Sequence, residues 1–297
     1  MTSDRDAAAA RRLWQHVEPV HAVVYFAPEV AEGFAEAGVR GWWAGYFAGR
    51  AAPLGECSAE VVQAAFHGFA HARVAKAVPS VWQVLSPGAA IRLREHRAGV
   101  VLARVLGPGA WRSSLVEAVD LLRAAVDGAT VEGRVLYAAN RSLDWPEDPL
   151  EALWHGCTLL REHRGDGHVA TLVAEGLDGA SSNVLAASAG VLTGNEAQRL
   201  NRGWSEDEWA AASRTLVERG WIEDGADPSP TERGRSVRQE IERRTDAAAM
   251  GPVRALGADG LGRLVALLEP GGAAVVGSGT VAYPNPIGLT PPGTTPR

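Results

Sequence analysis

Lysine is almost missing from this 297-residue chain: Lys76 stands alone among 29 basic residues. The rest are arginine, and the net charge is −6, a balance that does not favour a polyanionic partner. With the high Ala and Gly content, the bias reads as a coding effect of a GC-rich genome. Cysteine is equally scarce. Cys57 and Cys157 are too few for a disulfide framework or a zinc module. No uninterrupted apolar run reaches 18 residues, so no membrane span is expected. Met1–Arg12 is polar and Ala-rich and does not read as a leader, so the cytoplasm is the expected compartment. There is no G-x-S-x-G elbow, no phosphate-cradling G-x-x-x-x-G-K-[ST] and no convincing dinucleotide fingerprint.

What is present is helix. Asp4–Pro19, Pro28–Ala37, Ser58–Val78, Pro87–Leu106 and Trp111–Asp127 read as helices, with aromatic-rich W-W-A-G-Y-F-A-G-R over 42–50. The expected fold is mostly α, a helical N-terminal half followed by a winged-helix-like half. The expected boundaries are 1–140, 141–270 and an extended Pro/Gly-rich tail over 271–297. In the second half Ser205 caps a helix whose first turn carries Glu206, Asp207 and Glu208. Trp221–Ile222 reads as a strand, Glu223–Pro230 as a wing, and Thr231–Arg244 as the next helix. The tail motif P-N-P-I-G-L should dock on the body or on a neighbouring subunit, which makes a homodimer an expectation.

The densest chemistry lies in L-W-H-G-C-T-L-L-R-E-H-R-G-D-G-H, residues 153–168. Asp148 caps this helix and Pro149 fits its first position. Leu150, Leu153, Trp154, Cys157 and Leu160 follow helical packing spacing, and Arg161 extends that stripe. His155 and Glu162 lie on the adjacent one, and Gly165 is expected to end the helix. A buried Arg161 needs a carboxylate, carbonyls or a ligand anion. An internal Arg–Glu pair and an anion anchor are both open readings. Leu-Arg-Glu-His-Arg occurs at 93–97 and again at 160–164, by duplication or coincidence.

His67 and His71 are four apart, so on one helix they share a face. Packed or solvent-facing histidines are the plain reading, and acid–base work is the functional one. A metal would need a third ligand, and none is obviously spaced for it, so neither metal nor cofactor is expected. If that helix packs on the His155/Glu162 helix, a cleft would gather imidazoles, a carboxylate and Arg161. The candidate catalytic residues are therefore His67, His71, His155 and Glu162. The candidate ligand contacts are Arg161, His168, Trp154, Trp42 and Tyr46. Such a set suits elimination, isomerisation or cyclisation of a small organic molecule.

Nearly the whole chain resembles the SalK-like proteins of actinobacteria. The carrying residues are V-Y-F-A-P-E-V (24–30), Y-F-A-G-R-A-A-P-L-G (46–55), L-R-E-H-R-G-D-G-H (160–168), R-G-W-S-E-D-E-W (202–209), I-E-R-R-T-D (241–246) and P-N-P-I-G-L (284–289). The resemblance implies a helical fold with a MarR-like winged-helix region and a bacterial, often natural-product biosynthetic, context. It implies no settled reaction. Two departures stand out: F-H-G-F-A-H replaces F-[YF]-N-F-x-P, and Ser181 and Ala186 stand where a Glu and a His are expected.

Winged helices often bind DNA, but from Trp204 to Glu232 eight acids face only Arg214 and Arg219. Phosphate contacts need Arg or Lys, so DNA is not the expected partner. The leading expectation is an enzyme of specialised metabolism acting on a small organic molecule. The alternatives are a MarR-type ligand-responsive regulator, using Arg233, Arg235, Arg238, Arg243 and Arg244, and a non-catalytic carrier.

Overall fold

The Asp148 carboxylate accepts from the amides of Leu150 and Glu151, and Pro149 fills the first turn. The helix they start runs 26 residues, to Ala174. It is the axle of the molecule. The computed structural model describes residues 4–109 and 114–289. In chain order its helices are α1 (Asp4–Phe26), α2 (Pro28–Glu36), α3 (Trp42–Ala51), α4 (Ala59–Phe66), α5 (His71–Ala75), α6 (Pro87–Leu106), α7 (Leu115–Asp127), α8 (Val135–Arg141), α9 (Pro149–Ala174), α10 (Gly179–Ser188), α11 (Asn195–Arg202), α12 (Glu206–Glu218), α13 (Glu232–Ala248) and α14 (Met250–Gly277). The expected start of a helix at Trp111 and the last residues of the tail, 290–297, lie outside the described residues.

α9 is packed by α1, α6, α7, α8 and α13. A helix packed by five others over most of its length has little solvent face to reserve for charge. This is why Glu162, His163, Arg164 and Asp166 are buried beside Leu153, Trp154 and Cys157. It also explains the correction at Gly165. The helix does not stop there; it continues through Gly165 and Gly167, and at Gly167 the missing Cβ lets Arg134 and Ala248 approach closely. The larger hydrophobic cluster joins residues of α1 to α9 with α14 and Leu289. A smaller one joins Leu172, Leu177, Val184, Trp209, Leu216, Trp221 and Ile241.

In the second cluster, α11 ends at Gly203 in the left-handed conformation (φ 80°), and Ser205 opens α12 with a reciprocal capping box to Glu208. Helix, three-residue turn, helix is the helix-turn-helix arrangement. The expected β wing is not formed. Among the described residues there is no strand, only an isolated antiparallel bridge between Ile222 and Pro230. Glu223 N donates to Ser229 O and Thr231 N to Trp221 O, and pairing ends there. Pro228 and Pro230 have no N–H to extend a ladder. Gly234 is required beside this bridge, because a Cβ there would overlap the Trp221 carbonyl oxygen.

α14 is the longest helix among the described residues, at 28 residues. By length and composition it could cross a membrane, although Arg254, Asp259, Arg263 and Glu269 interrupt it. Here it packs along α1 and α7 and is broken at Gly257.

Candidate functional site

Charges inside a packed bundle must find partners. Glu162 finds two. Arg50 grips its carboxylate with Nε and Nη2, each at 3.2 Å, and Arg161 Nη1 donates to Oε2 at 2.8 Å. Burial opposes ionisation of Glu162, but Arg161 and Arg50 outweigh it and hold its carboxyl well below the usual range. Arg161 Nε also lies 3.5 Å from Glu18, which takes the Trp14 indole N–H at 2.9 Å. A second cluster ties α1, α9 and α13: Arg11 and Arg164 both pair with Glu242 and Asp246.

Beside the first cluster is a cavity of about 300 Å³. Phe34, Trp42, Tyr46 and Trp154 supply aromatic wall, and His21, Tyr25, Thr158, Arg50, Arg94 and Glu162 supply polar groups. Trp42 is 48% exposed and stacks on Tyr46 with ring centroids 5.6 Å apart, at the open rim of the cavity beside Ala35 and Gly41.

The hydrogen bonds fix a tautomer. Thr158 Oγ1 donates to the Trp154 carbonyl at 2.9 Å, so it accepts from Nδ1–H of His21, also at 2.9 Å. Nε2 of His21 is then bare and accepts from the Tyr25 hydroxyl at 2.8 Å. Burial drives His21 well below the ordinary imidazole range, with Arg161, Arg50 and Arg94 adding to it against Glu162. Burial also raises Tyr25, against Arg161 and Arg50. The result is a neutral phenol donating to a neutral imidazole at the wall of an aromatic cavity. The pair can pass a proton: Tyr25 gives or takes one at the cavity, and His21 receives or returns the phenolic proton. Arg94, anchored by Gly49 O at 2.9 Å and Asn140 Oδ1 at 2.8 Å, can stabilise developing negative charge.

The residues singled out from sequence fall into three groups. Trp42, Tyr46, Trp154 and Glu162 line the aromatic cavity. His67, Arg161 and His168 line a wider neighbouring cleft, which Tyr46 also borders. His71 and His155 line neither. The shared helical face of His67 and His71 is not formed. His67 caps α4 with φ 54° and His71 starts α5. The chain turns there because the Gly68 carbonyl is taken by Asn183 at 2.9 Å and Trp204 at 3.3 Å. Gly179 packs so tightly on the His67 carbonyl that a Cβ would overlap it. His71 is exposed and pairs with Glu60 at 3.2 Å. His155 is fully buried, 3.5 Å from Glu95 and edge-on to Trp145. Among the described residues no three His, Cys, Asp or Glu side chains are grouped to hold a metal.

Sequence reading missed His21, Tyr25, Arg50 and Arg94. A signal existed: His21 and Tyr25 stand at i, i+4 on α1, the spacing that brings side chains together. The repeated pentapeptide was another. Arg94 and Arg161 occupy equivalent places in it, and they lie over the rings of Trp154 (5.4 Å) and Tyr25 (5.9 Å).

A helical body carrying a small helix-turn-helix unit is the class these features define. A helix-turn-helix family model matches residues 10–282, and the chain belongs to that helix-turn-helix family. No curated protein and no solved structure matches it.

Proposed function

We propose that this protein binds a small organic molecule in the aromatic cavity and acts on it by proton transfer through Tyr25 and His21. The observation that carries this reading is the hydrogen-bonded phenol–imidazole pair facing a cavity of about 300 Å³. Tyr25 is the group that meets the ligand, and His21 takes the phenolic proton only transiently, because burial and the neighbouring arginines disfavour its charged form. Arg94 and Arg50 stabilise an enolate-like or phenolate-like charge, while Glu162 fixes Arg50. Elimination, isomerisation and cyclisation can each use such a set. The resemblance to SalK-like proteins supports a setting in specialised metabolism. Calorimetric titration with indole tests the binding half. Ala31 lines the cavity, so Ala31→Phe should abolish saturable binding, and His71→Ala should not affect it. Equal binding by wild type and Ala31→Phe would place the ligand elsewhere.

Membership of a helix-turn-helix family favours a second reading, a ligand-responsive regulator. Its DNA contacts are poorly supported. Glu206, Asp207 and Glu208 are exposed at the start of α12. On α13, Arg243 and Arg244 pair with Glu240 at 2.6 and 2.9 Å, and Arg238 lies 3.7 Å from Glu242. A third reading, a carrier, shares the cavity and lacks the proton transfer.

A further inference from the structure

Arg202, the last residue of α11, reaches into the cleft between the two hydrophobic clusters. Its guanidinium lies 4.4 Å from the centre of the Phe69 ring, and Nη2 donates to the Pro286 carbonyl at 2.7 Å. Its Nε is buried with no acceptor. Among the described residues no carboxylate lies within ion-pair distance of it. The nearby acids are already engaged. Glu162 is held by Arg50 and Arg161, Glu18 by Arg161 and Trp14, and Asp166 by the Tyr137 amide at 2.8 Å. Burial lowers the proton affinity of Arg202, and Arg50 and Arg161 lower it further against Tyr46.

The cleft is large, about 1230 Å³, and its walls carry eight arginines against four carboxylates. The Tyr46 hydroxyl accepts from Arg50 at 3.3 Å and borders both the cleft and the aromatic cavity. A buried guanidinium nitrogen without an acceptor, on an arginine with no carboxylate of its own, is a half-made anion site. We propose that the cleft binds an oxyanion, the carboxylate or phosphate group of a small molecule, on Arg202, with Nε as donor and Tyr46 beside it under the Tyr283–Gly288 segment. The site differs from the Arg161 anchor expected from sequence, because Arg161 is already neutralised by Glu162 and Glu18. It stands independently of proton transfer in the cavity.

Thermal unfolding of the full chain, titrated with inorganic phosphate in one arm and acetate in the other at constant ionic strength, tests the site and separates the two oxyanions. A saturable upward shift with at least one of them is expected. The shift should be lost in Arg202→Gln and kept in Arg263→Gln, which alters an exposed pair with Glu117 on the body. Arg202→Lys retains the charge but removes the Nε donor, and should weaken the apparent affinity about tenfold, as expected for loss of a forked contact. Absence of a saturable shift with either anion overturns the proposal. So does an unchanged affinity in Arg202→Gln or, should that variant not fold, in Arg202→Lys.

Discussion

The Tyr25 hydroxyl donates to Nε2 of His21 across 2.8 Å, and Thr158 on the far side fixes which nitrogen is bare. Both residues lie on α1, and the His21–Thr158 bond ties them to α9, so the buried chain of bonds has a structural cost if broken. Tyr25→Phe leaves a buried acceptor without its donor and should cost about 1–3 kcal/mol of stability, read from urea denaturation. A change within error would mean that water or a neighbour replaces the hydroxyl.

Glu162 is the carboxylate shared by Arg50 and Arg161. Removing its charge leaves two guanidinium groups facing each other in a packed interior. Glu162→Gln should therefore destabilise the fold by about 3–5 kcal/mol, as for a broken buried pair. Glu60→Gln, which alters the exposed pair with His71, should leave the denaturation midpoint unchanged.

Stability should fall on mild acidification. Burial, with Arg164 and Arg238 opposing Glu242, pushes His168 down to about 4, and burial with Arg134 pushes His163 to about 3. Both have ordinary values near 6.5, so below that pH the unfolded chain takes protons that the folded chain refuses. Asp166 works the other way. Burial and Glu162 raise it from 3.8 to about 6, so the folded chain binds its proton first. Two histidines outweigh one aspartate, and each net proton changes stability by about 1.4 kcal/mol per pH unit. Denaturation midpoints should drop between pH 6 and 4. Asp166→Asn should steepen the drop, and His168→Gln should flatten it.

Local signals made much of the helical layout readable. The Pro87–Leu106 helix has the bounds its sequence suggests, and Asp148 and Ser205 cap as their positions imply. Longer-range packing was not readable. His67 and His71 have helical spacing, but Gly68 allows a turn that only the contacts of Asn183, Trp204 and Gly179 select. Gly165 looks like a helix end when read locally, yet the neighbours that enclose α9 carry the helix through it. The His21–Tyr25 pair had the right spacing, but its meaning depends on Thr158, 137 positions away from His21.

The acidic start of α12 makes a plain prediction about nucleic acid. A mobility-shift titration at low salt should show no specific complex with the wild-type chain. Replacing Glu206, Asp207 and Glu208 together with Lys should introduce salt-sensitive, sequence-independent binding. Tight wild-type binding would favour the regulator reading instead.

Proton transfer at Tyr25 can be measured without the natural substrate. Incubated in D₂O with 2-tetralone, a compact aromatic ketone with acidic C–H bonds, the wild-type protein should accelerate deuterium incorporation beside the carbonyl. Tyr25→Phe and Ala31→Phe should return the rate to background, and His71→Ala should retain the acceleration. An unchanged acceleration in Tyr25→Phe, or none in the wild type despite bound ketone, would contradict proton transfer through this pair.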